Sequence, residues 1–147
     1  MDGLYDAVAA RLADPARCPS ILQVATGMDA RAALETLALG ADVTALVSPL
    51  SDEARPINEA GFLVTEVDDE VFGVTMALVF PGGFPQFEAA RREIKAALRG
   101  WTPPGASTPV TYAGGSTLQY SVNQDGGRWL HLLRFRVQSQ ETYEAQS

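Results

Sequence analysis

The chain has 147 residues, is 46% hydrophobic and 20% charged, and carries a formal net charge of −7. Such values suit a single globular domain, which at this size hides about 68–70% of its unfolded surface and needs no metal or disulfide to hold it. They count against a general nucleic-acid binder, which would be basic, and the lone Cys18 has no partner for an internal disulfide.

No apolar run is long enough to span a bilayer, and Met1-Asp2-Gly3 does not open a signal segment, so a soluble protein made inside a cell is expected. In chain order, Leu4, Tyr5, Val8 and Leu12 predict a first helix, with Asp2 as its cap and Asp14-Pro15 ending it. Ile21 to Ala25 reads as a short buried strand, and the Ala/Leu-rich stretch Asp29 to Leu39, closed by Gly40, as a second helix or a long loop. Val43 to Val47 is a β-branched run. Ser48 to Gly61, polar and holding Pro49 and Pro56, reads as an exposed loop or arm.

Phe62 to Glu66 and Val71 to Phe80 are predicted as two strands around an acidic turn at Asp68-Asp69. In the second, Phe72, Val74, Met76, Leu78 and Phe80 share one face. Gly73, Thr75, Ala77 and Val79 share the other, small enough to lie under a packed helix.

The clearest element follows. Phe87, Ala90, Ile94 and Ala97/Leu98 make an apolar stripe at helical spacing, and Arg91, Arg92, Lys95 and Arg99 cover much of the other side. Pro85 suits the first turn, and Gly100, Pro103 and Pro104 mark the stop. Strands are expected at Val110 to Tyr112, Thr117 to Val122 and Trp129 to Val137, with Asp125-Gly126-Gly127 joining the last two. On the closing strand Leu133, Phe135 and Val137 alternate with Leu132, Arg134 and Arg136. Phe87, Ile94, Leu98, Trp101 and Phe135 are the expected core. Residues 1–138 form one domain, and 139–147, without apolar periodicity, are expected to be a flexible tail.

Charge is unevenly spread. Met1 to Pro85 holds 13 acids and 4 bases, a net of −9; Gln86 to Arg136 holds 3 acids and 7 bases, a net of +4; Glu141 and Glu144 add −2. This is either a solvated surface or a self-complementary one, acidic face to basic face between copies.

Catalytic signatures are weak. His131 is the only histidine and lies in a strand, so no His-rich metal site exists. Glu66, Asp68, Asp69 and Glu70 could attract a hard cation but lack calcium-loop spacing. Cys18 has no base near it in sequence. Pro81-Gly82-Gly83-Phe84 precedes a helix without the Lys-Ser/Thr of a nucleotide loop. No enzyme, cofactor or metal is expected.

Several segments, in this order and spacing, resemble the tail terminator proteins of long-tailed bacteriophages and prophages. They are Leu98-Arg99-Gly100-Trp101-Thr102-Pro103-Pro104-Gly105-Ala106, Tyr112-Ala113-Gly114-Gly115 and the strand Trp129 to Val137. Upstream, Ala45 to Leu50, the loop with Pro56, and Glu70-Val71-Phe72-Gly73-Val74 resemble the same pattern. The resemblance covers about Ala41 to Val137 and departs at Ile21 to Gly40.

It implies an α+β fold: a twisted, mainly antiparallel (mixed) sheet with helices packed on one side. It also implies a ring, a hexamer, on the head-proximal end of the tail tube, ending tube growth and meeting a head-completion or neck protein. DNA would pass through without specific binding, and no membrane is involved; the protein would be made in the bacterial cytoplasm and end in the virion. Contacts between copies or to the tube are expected from Arg91, Arg92, Lys95 and Arg99, from Asp52, Glu53 and Arg55, and from Arg134 and Arg136. The alternatives are another ring-forming connector or tail tube component, or a small hydrolase using the carboxylates of Glu66 to Glu70.

Overall fold

The computed structural model describes residues 3–27, 43–58, 61–80, 84–120 and 127–146. Its elements are α1 (Leu4–Leu12), β1 (Ile21–Thr26), β2 (Val43–Asn58), β3 (Leu63–Phe80), α2 (Phe84–Leu98), β4 (Thr111–Tyr120) and β5 (Gly127–Glu144). They form a five-stranded sheet in the order β1-β2-β3-β5-β4. The β1–β2 pair is parallel and the other three are antiparallel, so the fold is α+β with a mixed sheet, as expected. No helix among the described residues is long and apolar enough to cross a membrane.

Both described helices belong to one core with a single face of the sheet. Leu4, Val8 and Leu12 of α1 join Phe87, Ala90, Ile94, Ala97 and Leu98 of α2, over Val74, Met76 and Leu78 of β3 and Leu133, Phe135 and Val137 of β5. The stripe read from the sequence of α2 is therefore its buried face. Tyr5 meets Phe72 edge-on at 6.5 Å, and Phe72 stacks on Phe135 at 5.6 Å. Trp101 is only half-buried and packs against this core, with the Arg11 guanidinium 4.7 Å above its ring. Arg11 Nε also donates to the Ala97 carbonyl at 2.5 Å, tying α1 to the last turn of α2, where a cation suits the exposed carbonyls.

The helices thus lie on the large-residue face of β3, not on the small-residue face expected from sequence. The small residues make room on the opposite side. A Cβ on Gly73 would come within 2.6 Å of Leu132 Cδ1 and 3.2 Å of Leu50 Cδ1. Past α2 the chain turns at Gly100, whose φ of 81° is left-handed. Gly100 N–H then donates to the Val110 carbonyl, and Val110 N–H to that of Trp101, returning the segment to the sheet.

Several boundaries differ from the sequence reading. The stretch from Ser48 is not a loop: β2 runs to Asn58 and pairs with β3, Asp52 opposite Glu70 and Pro56 opposite Glu66. β1 covers β2 only as far as Val47, so among the described residues β2 beyond it is an edge strand. Pro49 and Pro56 each precede a register shift there, where a missing N–H breaks no ladder. Likewise no turn interrupts β3 at Asp68-Asp69. It pairs with β5 in unbroken register from Leu63↔Glu144 to Phe80↔Gly127. The turn comes earlier, around Gly61, which has a φ of 70°.

The expected tail at 139–147 is also strand as far as Glu144, paired with the outer half of β3. β4 is one strand with shifts at Tyr112/Gly114 and Thr117/Gln119, rather than two. β1 is partly exposed at the sheet edge, with Leu22 72% exposed. Gly3, not Asp2, caps α1, and without a side-chain bond. The expected second helix (Asp29 to Leu39), Pro81 to Gly83 and the turn at Asp125-Gly126 lie outside the described residues.

Candidate functional site

Two charged surfaces stand out, and the nine expected contact residues divide between them and their surroundings. The first is the outer side of α2. Arg91, Arg92, Lys95 and Arg99, with Glu88 and Ala96, line a groove of about 580 Å³. Aromatic rings hold two of these cations in place: Arg91 lies 5.0 Å over Phe87 and Lys95 4.3 Å over Tyr112. The groove leads to a second hollow, of about 530 Å³, that Arg99 shares with Thr111 and Tyr112 at the β4 edge. Glu93, the other acid of α2, is occupied elsewhere: its carboxylate accepts from Ser20 N–H at 2.8 Å and Ser20 Oγ at 2.6 Å.

The second surface is a three-stranded arm made of the outer halves of β2, β3 and β5. Residues 51–58, 63–70 and 137–144 hold eight acids and one base, a net of −7. Residues opposite each other in an antiparallel ladder point to the same side. Asp52 opposite Glu70, and Glu66 opposite Glu141, therefore share the helix-side face with Asp68. One oxygen from each of Asp52, Asp68 and Glu70 lies within 4.8 Å of the others. Asp68 Oδ1 is shielded from water without a hydrogen-bond partner among the described residues.

Tyrosines trim the same face. Tyr5 OH donates to Glu70 Oε1 and Tyr143 OH to Glu66 Oε1. Burial first, and then the hydrogen bond and charge of Glu70, push the Tyr5 phenol well above its ordinary pKa. Three carboxylates could supply part of a hard cation's shell, which takes six or more oxygens for calcium.

On the opposite face of the arm, Glu53, Asp69, Ser51 and Arg136 surround a hollow of about 240 Å³. Gln138 Nε2 donates to Asp69 Oδ1 at 2.6 Å. Arg55 is exposed. Arg134 is half-buried and donates to Ser116 Oγ across the β4–β5 pair at 3.3 Å, so it is engaged inside the sheet. Exposed apolar side chains gather towards the arm's tip, Phe62 (83% exposed), Ile57 and Leu63 among them.

Two of the groups weighed for catalysis, His131 and Cys18, are packed against neighbouring side chains. His131 shares a bond of 3.1 Å with Thr117 Oγ1 and meets Phe87 edge-on at 5.2 Å. Burial, then Arg91 and Lys95, lower its pKa. Cys18 is buried, its thiol pushed up to about 11 by burial and then by Glu93 and Asp14. The basic row is legible in the sequence, but the acids of β3 read there as a turn, and neither Tyr143 and Glu141 as parts of the arm nor Tyr5 as its hydrogen-bonding neighbour is foreseen. Alternation of acids through Glu66, Asp68 and Glu70 was the available signal.

No family model matches this chain, and no curated protein matches it. Among solved structures, a chain whose name carries no functional term is similar to it with a TM-score of 0.51 and 20% identity. The match covers 92% of this chain and 94% of that one. At that identity the likeness bears on the fold alone.

Proposed function

We propose that this chain is a ring-forming structural subunit that caps the head-proximal end of a bacteriophage tail tube. The observation that carries the reading is one sheet bearing two oppositely charged surfaces, an arm of net −7 and a helix groove lined by four cations. The resemblance of its segments to tail terminators supplies the biological setting. Different patches meeting head to tail close into a ring when the rotation allows, and closure ends growth.

One side of the ring would match the last tube ring. The other would refuse a further tube ring, through unpaired charge, while accepting a head-completion protein. An acidic lining would let DNA pass, since phosphates gain nothing there from counterion release. The role needs no catalysis.

The test adds the purified chain to a polymerising tail tube protein of the same phage. Tubes should shorten as the chain is added, with the protein located at one end by immunogold microscopy. Tubes of unchanged length and bare ends would refute the reading. The close approach of Asp52, Asp68 and Glu70 favours one rival, a cation-dependent hydrolase. Calorimetry with magnesium and calcium decides it: absence of binding heat ends that rival.

A further inference from the structure

We propose that the acidic arm of one copy seats in the α2 groove of a second copy, pairing the row Glu66, Asp68, Glu70 with the row Arg91, Lys95, Arg99. The spacing supports it. Alternate residues on a strand lie about 6.8 Å apart, and residues four apart on a helix about 6 Å apart along the axis. Three carboxylates and three cations therefore run nearly in step, with a mismatch under about 1 Å per pair.

Among the described residues neither row forms an ion pair within the chain. The Arg17–Asp14 ion pair, at 3.6 Å, lies outside both rows. Arg91 and Lys95 are already held over aromatic rings, so little side-chain freedom is lost when a partner arrives. Asp68 brings an oxygen that has no hydrogen-bond partner among the described residues. The two rows are different patches of one chain, so the contact is head to tail and repeats from copy to copy. It rests on the ring reading for its closure, but the pairwise contact is measurable without tail tubes.

The test uses the full chain and two variants, Glu66→Lys with Glu70→Lys on the arm, and Arg91→Glu with Lys95→Glu on the helix. Thermal melts first establish that each is folded. Sedimentation velocity at about 50 mM salt should show wild-type oligomers that dissociate towards about 1 M, where the screening length falls to about 3 Å. Each variant alone should be monomeric, and an equimolar mixture of the two should reassemble, because each then offers the other opposite charge.

If the arm variant fails to fold, Asp52→Lys on the same face takes its place. A wild type that stays monomeric at every concentration, a folded variant that assembles like the wild type, or a mixture that stays monomeric overturns the proposal. So does wild-type binding of duplex DNA that is lost in the helix variant while oligomers persist. The outcomes separate from those of the capping test. Charge-dependent oligomers that fail to cap tubes would refute the tail reading alone, and reversed variants that still cap would refute this contact alone.

Discussion

Replacing Ile94 by Ala tests whether α2 is held to the sheet by the stripe described above. Ile94 is fully buried within the core shared by both helices. The change removes three carbons. At about 0.8 kcal/mol for each buried methylene-sized group, the transfer loss is about 2.4 kcal/mol. A cavity that does not collapse adds to it, up to about 5 kcal/mol for Ile→Ala. We expect a loss of about 3–4 kcal/mol, read from urea unfolding followed by circular dichroism, with the denaturant slope unchanged. In a thermal scan this is a fall of about 10 °C, at about 3 °C per kcal/mol for a domain of this size. Leu118→Ala, at an exposed position of β4, is the control and should change stability by less than about 0.5 kcal/mol. An Ile94→Ala loss no larger than the control's would mean that α2 presents another face to the sheet.

Two further outcomes are expected. Gly73→Val should destabilise by about 1–3 kcal/mol, since its Cβ would drive into Leu132, and the added Leu132→Ala change should recover part of the loss; simple additivity in a double-mutant cycle would show the two do not touch. Cys18 should react with iodoacetamide at pH 8 at least about 100-fold more slowly in the native chain than in urea, because a thiol pushed up from 9.0 to about 11 holds that much less thiolate. The sign follows for stability: a raised folded pKa favours the neutral thiol, so its contribution is complete below pH 9 and fades as pH rises towards about 11. Equal alkylation rates in the two states would show that the thiol is not buried.

What was legible in the sequence was what a one-dimensional period can carry. The α2 stripe, the Gly100 stop and the alternation of Leu133, Phe135 and Val137 each depend on a face buried against the core, and each matched the structure. The arm obeys another rule. Outside the helices its three strands expose side chains on both faces, so residues 138–144 show no apolar alternation although they are paired throughout. Pro49 and Pro56 argue against strand when read locally, yet an open edge tolerates both. Which face of β3 carried the helices was not legible either. Gly73, Thr75 and Ala77 fit under a helix in principle, but the opposite face offered Phe72 and Met76 to interdigitate with Tyr5 and the α2 side chains. The basic row was legible because it sits on a periodic helix; its acidic counterpart was hidden because the register across β2, β3 and β5 assembles it.

The unshifted β3–β5 ladder also has a mechanical meaning. It runs from core to arm without a bulge, past the stacked pair Phe72 and Phe135, so the arm and the core share one beam. A hinge would require several adjacent ladder bonds to break together. In the contact proposed above, the arm would therefore meet a neighbour as a stiff lever. It would spend no folding entropy on contact, and its base is tied to α1 by the bond between Tyr5 and Glu70.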